Sequence, residues 1–456
     1  MSIDTHAVKR DDTHASTSGE PGPVRRVIGA SLGTGAVTAL VLTLVVFPGA
    51  TESLITGSVL VAFGLGWAMM TVLSTRLTSQ PQRWAAVPAV AMTAAGAGLL
   101  VLTPQHETLT WLSFLWPPAL LTLVVWMFLR MRRALPGRGR WLLTPVLVVL
   151  AAASAGAVTQ DISVVRDHDA YPAPGHSYSV GDHRLHLDCR GQGSPTVVLF
   201  NGLGEISASW ERITEQVDDA TRVCAYDRAG QAWSDDVDAP QDGVEAAQDL
   251  HALLAEAGEK GPFVLAGHSI GGPYALTYAA QYPDEVAGVV LLDSSSPRQF
   301  SDIPSYPRQY AAMRRGLALL PTLARLGLGK TIASDSHLPS AAAERVDAMT
   351  STVRAFRNAR DELSMIPTVF HQAQALTTLG DLPLCVITTS ESRDGTGGWE
   401  AAQDQLAGLS TNVVHRDVDS THSGLVDDPE GAAASVRAID EVVAAVRGHA
   451  PLAAQG

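Results

Sequence analysis

Residues 263–275 of this 456-residue chain read Phe-Val-Leu-Ala-Gly-His-Ser-Ile-Gly-Gly-Pro-Tyr-Ala and contain a Gly-x-Ser-x-Gly pentapeptide centred on Ser269. The four apolar residues before the pentapeptide predict a short buried strand, and the stretch from Pro273 to Tyr282 predicts a helix. Ser269 would then lie on a sharp strand-to-helix turn that exposes its hydroxyl. Small residues flank the serine because such a turn brings neighbouring backbones close together. The stretch therefore predicts a turn that presents a nucleophile.

Five apolar stretches precede this motif, and each is long enough to span a bilayer. They are Val27–Phe47, Leu54–Leu73, Trp84–Leu102, Leu109–Leu129 and Trp141–Val158. The third and fifth are rich in alanine and glycine, so four spans is the alternative count. We interpret Trp116-Pro117-Pro118 as a kink inside the fourth stretch, since proline removes a helical hydrogen bond. The N-terminal region is thus predicted to be an α-helical transmembrane bundle.

Positive charges alternate between the segments that join these stretches. Arg25 and Arg26 precede the first stretch, Arg76 and Arg83 lie in the second loop, and Arg130, Arg132, Arg133, Arg138 and Arg140 lie in the fourth. The first and third loops contain no Lys or Arg. Because cytoplasmic loops collect Lys and Arg, five spans predict a multi-pass cell-membrane protein with a cytoplasmic N-terminus and an extracytoplasmic C-terminal part.

The predicted organisation has five parts. A disordered cytoplasmic tail covers residues 1–23, the transmembrane region residues 24–159, a linker residues 160–175, a soluble domain residues 176–448 and a short tail residues 449–456. Through Thr159 the chain has eleven Lys and Arg against six Asp and Glu, so the remainder carries a formal charge of −19. Such an acidic surface disfavours nucleic acid as a partner. The predicted partners are a lipid bilayer and a small molecule.

The soluble domain alternates strand-like and helix-like stretches, which predicts an α/β fold. Five segments follow one another in a recognisable order: Phe200-Asn201-Gly202-Leu203-Gly204, Tyr226-Asp227-Arg228-Ala229-Gly230, Gly267-His268-Ser269-Ile270-Gly271-Gly272, Val290-Leu291-Leu292-Asp293 and Ser420-Thr421-His422. Together they resemble the α/β-hydrolase superfamily over roughly His176 to Gly448. The resemblance implies a mostly parallel α/β-hydrolase sheet, a serine hydrolase of the esterase or lipase type, and a helical cap at about residues 294–380.

The resemblance also implies roles for individual residues. Ser269 would be the nucleophile and His422 the base that takes its proton, because a serine hydroxyl is a poor nucleophile at neutral pH. Backbone N–H groups of Leu203 and Ile270 would form the oxyanion hole. Many relatives have His-Gly where this chain has Asn201-Gly202, which leaves the backbone donor intact and changes the side chain that supports the loop.

The acid that orients His422 has two candidates. Asp293 follows a predicted strand, as the acid does in a minority of relatives, and Asp394 lies in the loop where most relatives have theirs. We favour Asp293 and keep Asp394 as the alternative, while Glu391 has no familiar spacing. Among the other histidines, His268 adjoins the nucleophile, and we expect it to serve packing or substrate contact.

The three cysteines are Cys189, Cys224 and Cys385. They lack the Cys-x-x-Cys spacing of metal sites, and we predict neither a metal nor an organic cofactor. In the family topology the strands that here carry Cys189 and Cys224 are neighbours, so the resemblance implies a disulfide between them, which an oxidising exterior would permit.

The expected reaction is cleavage of a carboxylic ester or related acyl bond through an acyl-enzyme. A serine in the elbow disfavours dehalogenase or epoxide hydrolase chemistry, which requires a carboxylate nucleophile. The apolar stretch Leu317–Leu328 in the cap suggests a hydrophobic acyl or alcohol group. Two alternatives belong to other classes: a non-catalytic ligand-binding or signalling domain on a hydrolase scaffold, and a membrane transporter or sensor with an accessory hydrolase domain.

Overall fold

The computed structural model describes residues 22–135, 140–237, 239–333 and 336–452. Most of the predicted N-terminal tail, Arg138 and residues 453–456 of the predicted C-terminal tail lie outside the described residues. The N-terminal region is helical. Its helices are α1 (Gly22–Val41, continued by a wider turn at Leu42–Val46), α2 (Glu52–Leu77), α3 (Ala86–Leu102), α4 (His106–Ser113), α5 (Trp116–Ala134) and α6 (Arg140–Ala170).

Four helical segments of the described chain are long and apolar enough to cross a membrane, and a fifth crossing is formed only if α4 and α5 count as one. The four are Val24–Val46, Glu52–Leu77, Arg83–Leu102 and Arg140–Ala170. The N-terminal region therefore has the apolar helices expected of a membrane-associated protein. The number of crossings and their direction remain predictions.

The predicted fourth stretch is two helices rather than one kinked helix, because α4 and α5 meet at 48°. Pro117 and Pro118 lie in the first turn of α5, where a missing N–H costs nothing, so the prolines begin a helix instead of bending one. The fifth stretch is longer than predicted. Helix α6 has 31 residues and includes most of the predicted linker, since no proline or glycine occurs from Thr159 to Ala170.

The bundle has two distinct ends. At one end a buried cluster joins the start of α1, the end of α2 and the end of α5, through residues that include Ile28, Met70 and Met131. Two of the arginine-carrying connections, which contain Arg83 and Arg140, adjoin this cluster. The opposite end, formed by the α1–α2 and α3–α4 connections and the end of α6, contacts the C-terminal domain. Basic loops and C-terminal domain thus lie at opposite ends, as the predicted orientation requires.

The C-terminal domain is built on an eight-stranded sheet in the order β1-β2-β4-β3-β5-β6-β7-β8. Strand β2 runs antiparallel to both of its neighbours, β1 and β4, and strands β3 to β8 are parallel to one another. The strands are β1 (His176–Val180), β2 (His183–Arg190), β3 (Val197–Phe200), β4 (Val223–Tyr226), β5 (Phe263–His268), β6 (Val286–Leu292), β7 (Leu384–Thr389) and β8 (Val413–Val418). This is the topology that the resemblance implies.

Helices cover both faces of the sheet and form the cap. Those of the core are α7 (Glu211–Val217), α8 (Gly243–Glu256), α9 (Gly271–Gln281), α15 (Ser390–Gly395), α16 (Trp399–Ala407), α17 (Gly424–Asp427) and α18 (Pro429–Gly448), and those of the cap are α10 (Gln299–Asp302), α11 (Tyr306–Leu323), α12 (Gly329–Ile332), α13 (Ser340–Thr350) and α14 (Val353–Ala373). One apolar core includes Phe200 and Tyr278, and the other includes Trp210 and Ile439. Strands β3 to β7 are buried on both faces, which explains their largely apolar sequences, whereas the edge strand β8 is partly exposed.

Cys189 and Cys224 face each other directly in the antiparallel pair β2–β4. They form a disulfide, with the Cα atoms 4.0 Å apart. Cys385 is a buried free thiol in β7. The implied pairing is confirmed in this structure.

The cap packs against the end of the membrane bundle. The Arg325 guanidinium binds the buried carboxylate of Glu52, with Nη2 3.0 Å from Oε2, and donates to the carbonyl of Leu109 at 3.1 Å. Thr322 and Thr56 hydroxyls are 3.0 Å apart. The apolar stretch Leu317–Leu328 therefore lies against the bundle as well as against the cap helix α14, which accounts for its composition without a substrate.

We expect Arg325→Ala to destabilise the full-length protein by about 3 kcal/mol, because it leaves the Glu52 carboxylate buried without its cation. Thermal unfolding of the detergent-solubilised protein measures this loss. Arg308→Ala is the matched control: Arg308 is an exposed arginine of the cap helix α11, which precedes Arg325, and it forms no ion pair within the described ranges, so its effect should stay within about 0.5 kcal/mol. Equal unfolding midpoints for the two variants would contradict the structural role of the ion pair.

Alkylation should distinguish the three cysteines. Burial raises the pKa of the Cys385 thiol to about 12, so the folded protein should resist the reagent. After unfolding without a reductant, we expect Cys385 alone to be alkylated, and after reduction Cys189 and Cys224 as well. Peptide mass spectrometry reads each position. Modification of Cys224 before reduction would show that the disulfide is absent from the purified protein.

Candidate active site

Ser269 follows β5 directly and has a left-handed backbone, with φ +54°. Close packing around the turn explains the glycines beside it. A Cβ on Gly271 would lie 2.1 Å from the carbonyl oxygen of Phe200, and one on Gly272 would lie 1.7 Å from Ser294 Oγ. The strand-to-helix turn thus has the geometry of a nucleophile elbow. The Ser269 side chain makes no hydrogen bond to any residue that the structure describes.

The ends of β5 and β6 bring Ser269 and Asp293 together. His268 and Leu292 are register partners in the parallel pair, and the Ser269 N–H donates to the Leu292 carbonyl at 3.2 Å. His422 lies in the connection after β8, and its Nδ1 is 2.6 Å from Asp293 Oδ2. Since Nδ1 is engaged by the carboxylate, Nε2 is the nitrogen available to a serine hydroxyl.

Asp293 is fully buried and surrounded by donors. Besides His422, the carboxylate accepts hydrogen bonds from Thr389 N–H (3.2 Å), Thr389 Oγ1 (2.8 Å), Ser392 Oγ (2.5 Å) and Trp399 Nε1 (2.9 Å). Burial alone would raise the pKa of Asp293, but the hydrogen bond and charge of His422 together with the hydroxyl donors outweigh it and lower that pKa. The environment therefore keeps Asp293 ionised.

The alternative acids lie elsewhere. The Asp394 side chain is 70% exposed and pairs with Arg393, with Oδ1 3.0 Å from Nε. Glu391, for which the sequence offered no role, accepts the backbone N–H of His422 at 2.6 Å. The structure thus brings Asp293 to the histidine ring and Glu391 to its backbone, and it leaves Asp394 at the surface. Only the position of Asp293 at a strand end signalled its proximity.

The predicted oxyanion donors flank the elbow. Leu203 lies in the loop after β3 and Ile270 follows the nucleophile, and neither N–H donates a hydrogen bond within the described ranges. Asn201, the departure from the His-Gly pattern, is fully buried. Its amide donates to the Tyr226 carbonyl at 2.9 Å and accepts from Trp210 Nε1 at 2.9 Å. Asn201 therefore anchors the loop that carries Leu203.

The structure also shows an ion pair that the sequence did not indicate. His268 is buried beside the nucleophile, with Nδ1 2.5 Å from Glu205 Oε1 and Nε2 2.9 Å from the His422 carbonyl oxygen. Its ring centroid is 4.6 Å from that of His422. We expected packing or substrate contact for His268, and the structure adds a polar contact at each ring nitrogen, which packing alone does not require. Glu205 lies 63 positions away in the chain, so spacing could not pair the two.

A cavity of about 650 Å³ lies between the C-terminal domain and the end of the membrane bundle. Tyr274, Arg314 and Arg357 line it, whereas Ser269 and His422 do not. Arg228 lies between this cavity and the loop after β3: it lines the cavity, and its Nη1 donates to the Asn201 carbonyl at 2.8 Å.

Comparisons with known proteins agree with this architecture. A family model described as alpha/beta hydrolase fold matches residues 195–326. An uncharacterized protein of Schizosaccharomyces pombe is 28% identical over 288 residues, which cover 55% of this chain and 52% of that protein. The 2-(acetamidomethylene)succinate hydrolase of Mesorhizobium japonicum is 35% identical over 114 residues, 24% of this chain and 40% of the enzyme. The chain thus spans about half or less of these relatives' length.

Among solved structures, the Cif epoxide hydrolase from Acinetobacter nosocomialis aligns with a TM-score of 0.51 at 15% identity, over 62% of this chain and 95% of that one. An identity so low bears on the fold alone. The segment that the family model matches contains the loop after β3 and the serine elbow, and the strand order of the sheet is that of the α/β-hydrolase fold. The C-terminal domain of this chain therefore has the α/β-hydrolase fold, joined to an N-terminal bundle of helices apolar enough to cross a membrane.

Proposed function

We propose that this protein is a membrane-anchored serine hydrolase that cleaves a carboxylic ester or related acyl bond through an acyl-enzyme. The observation that carries the proposal is the 2.6 Å contact between Asp293 Oδ2 and His422 Nδ1, next to a serine in an elbow turn. This arrangement provides a nucleophile, a base and an acid that orients the base. It is also the arrangement that sequence reasoning favoured.

In the acylation step, His422 Nε2 accepts the hydroxyl proton of Ser269 while Oγ attacks the substrate carbonyl carbon. Asp293 remains ionised throughout and stabilises the imidazolium that forms. The carbonyl oxygen becomes an oxyanion within reach of the Leu203 and Ile270 N–H groups, and the start of α9 adds the positive end of a helix dipole. His422 then donates its proton to the leaving alcohol, and the Ser269 ester remains.

In the deacylation step, His422 Nε2 takes a proton from water, which attacks the acyl carbon of the Ser269 ester. The same two N–H groups stabilise the second oxyanion, and Ser269 regains its proton as the acid product leaves. A hydroxyl in the elbow, where dehalogenases and epoxide hydrolases require a carboxylate, supports acyl transfer over displacement at a saturated carbon.

The site of action that we propose is the outer face of a membrane. Two observations support it: the basic loops lie at the bundle end opposite the catalytic domain, and the domain contains a disulfide, which persists outside reducing compartments. The substrate would then be a small ester or acyl compound that need not enter the cell.

Labelling with a fluorophosphonate probe tests the nucleophile. We expect the full-length protein to be labelled at Ser269 and to hydrolyse p-nitrophenyl esters, and Ser269→Ala to lose the label and at least about 10³-fold in kcat. Ser301→Ala is the matched control, because Ser301 is an exposed cap residue that bonds only near itself. An unlabelled wild-type protein would support the non-catalytic alternative instead.

Paired substitutions test the acid. Asp293→Asn should lower kcat on the order of 10³- to 10⁴-fold, because the amide cannot hold His422 in the tautomer that accepts a proton. Asp394→Asn removes only an exposed ion pair and should leave kcat within about twofold. Steady-state kinetics on one p-nitrophenyl ester measures both. A larger loss in Asp394→Asn than in Asp293→Asn would reverse the assignment.

A further inference from the structure

The proposed mechanism assigns no role to the pair formed by the buried His268 and Glu205, whose side chain is 19% exposed. Both nitrogens of the His268 ring face acceptors, since Nδ1 meets a Glu205 carboxylate oxygen at 2.5 Å and Nε2 meets the His422 carbonyl oxygen at 2.9 Å. A neutral imidazole has one N–H, so it could satisfy both contacts only if Glu205 were protonated and donated to Nδ1. With an ionised Glu205, the geometry is that of an imidazolium that donates two hydrogen bonds.

The other Glu205 oxygen favours the ionised form of its carboxyl group. Oε2 accepts the Gly202 N–H at 2.5 Å, and a carboxylate that accepts a backbone N–H is stabilised. Burial would raise the pKa of Glu205, but the charge and hydrogen bond of His268 lower it further than burial raises it. Burial likewise lowers the pKa of His268 and Glu205 raises it by more. We therefore treat Glu205 as a carboxylate and His268 as an imidazolium, so the pair has no net charge.

Glu205 also shapes the loop after β3, which contains Leu203 and which we call the oxyanion loop. Its carboxylate and its own N–H close the turn onto Gly202, the latter at 3.4 Å from the Gly202 carbonyl, and this turn contains Leu203. A Cβ on Gly202 would lie 3.0 Å from the Glu205 carboxyl carbon, so any larger residue there would press on this contact. A carboxylate so close to the expected oxyanion would oppose the developing charge unless a cation compensates it.

We propose that His268, held as a cation by Glu205, is a positioning residue that serves the reaction in two ways. It neutralises the carboxylate that shapes the Leu203 turn, and its Nε2–H fixes the backbone of His422, whose ring contacts Asp293. The His268 side chain thereby connects the loop that contains Leu203 with the connection that contains His422, and it does so beside the turn that contains Ser269. This inference rests on the proposed acyl-transfer function.

A double-mutant cycle on the full-length protein tests the inference, with kcat and KM for a p-nitrophenyl ester and the rate of fluorophosphonate labelling of Ser269 as readouts. His268→Gln leaves the carboxylate unpaired, so kcat should fall about 100-fold with KM within about threefold. Glu205→Gln keeps an acceptor for Gly202 without the charge and should lose about tenfold. Once Glu205 is neutral, the cation is unnecessary, and a glutamine amide N–H can still donate to the His422 carbonyl, so adding His268→Gln to Glu205→Gln should cost less than about threefold further.

The double variant separates charge compensation from a merely structural role. Recovery of the double variant to at least about threefold above His268→Gln supports the inference, and an additive loss of about 100-fold from Glu205→Gln to the double variant overturns it. The second comparison remains valid if His268→Gln alone does not fold. His251→Gln is the matched control, since His251 is a half-exposed histidine that also pairs with a carboxylate, Glu285, and should keep wild-type kcat.

The two proposals fail differently. An unlabelled wild-type Ser269 overturns the proposed function and this inference with it. Labelling of wild-type Ser269 together with an unchanged kcat in His268→Gln overturns the inference alone.

Discussion

The ends of two neighbouring parallel strands hold the site together. Ser269 follows β5 and Asp293 follows β6, and both residues have left-handed backbones, with φ +54° and +44°. A residue other than glycine keeps such a conformation only where its surroundings enforce it. Here the Leu292 carbonyl accepts the Ser269 N–H and the Ile387 carbonyl accepts the Asp293 N–H, so the sheet itself fixes both turns. The loop after β3, which contains Leu203, and the connection after β8, which contains His422, both lie beside these two turns.

Sequence reasoning succeeded where the signal was local. The strand predicted before the pentapeptide is β5 and the strand predicted before Asp293 is β6, because both are fully buried apolar runs that end at polar residues. It failed where distant contacts decide. Trp399, a donor to Asp293, lies 106 positions from it, and no spacing rule connects them. The break between α4 and α5 was misjudged for a different reason: proline signals a helix start as well as a kink, and only the neighbouring structure distinguishes them.

The N-terminal bundle contacts the C-terminal domain through more than the chain that connects them. The stretch Leu317–Leu328 is half-buried against the start of α2 and the second half of α6, and Gly327 approaches Gly156 so closely that a Cβ would lie 2.4 Å from its backbone. Burial of apolar surface and of the Glu52–Arg325 pair at this junction holds one side of the cap in place. The cap therefore packs against two parts of the protein, the core of the C-terminal domain and the helices of the N-terminal bundle. An anchor that only tethered the domain would require neither contact.

Charge compensation is the remaining requirement of this site. Three carboxylates surround His422: Asp293 on its ring, Glu391 on its backbone N–H, and Glu205 through His268. The proposed acyl transfer develops negative charge on oxygen, so a carboxylate that water does not screen is tolerable there only while its own charge is matched nearby. Asp293 has hydroxyl, indole and imidazole donors, Glu205 has the His268 ring, and Glu391 is exposed to solvent. The part of the chain after Thr159 carries a formal charge of −19, yet in the proposed mechanism local pairing rather than overall composition would determine the potential at the reacting oxygen.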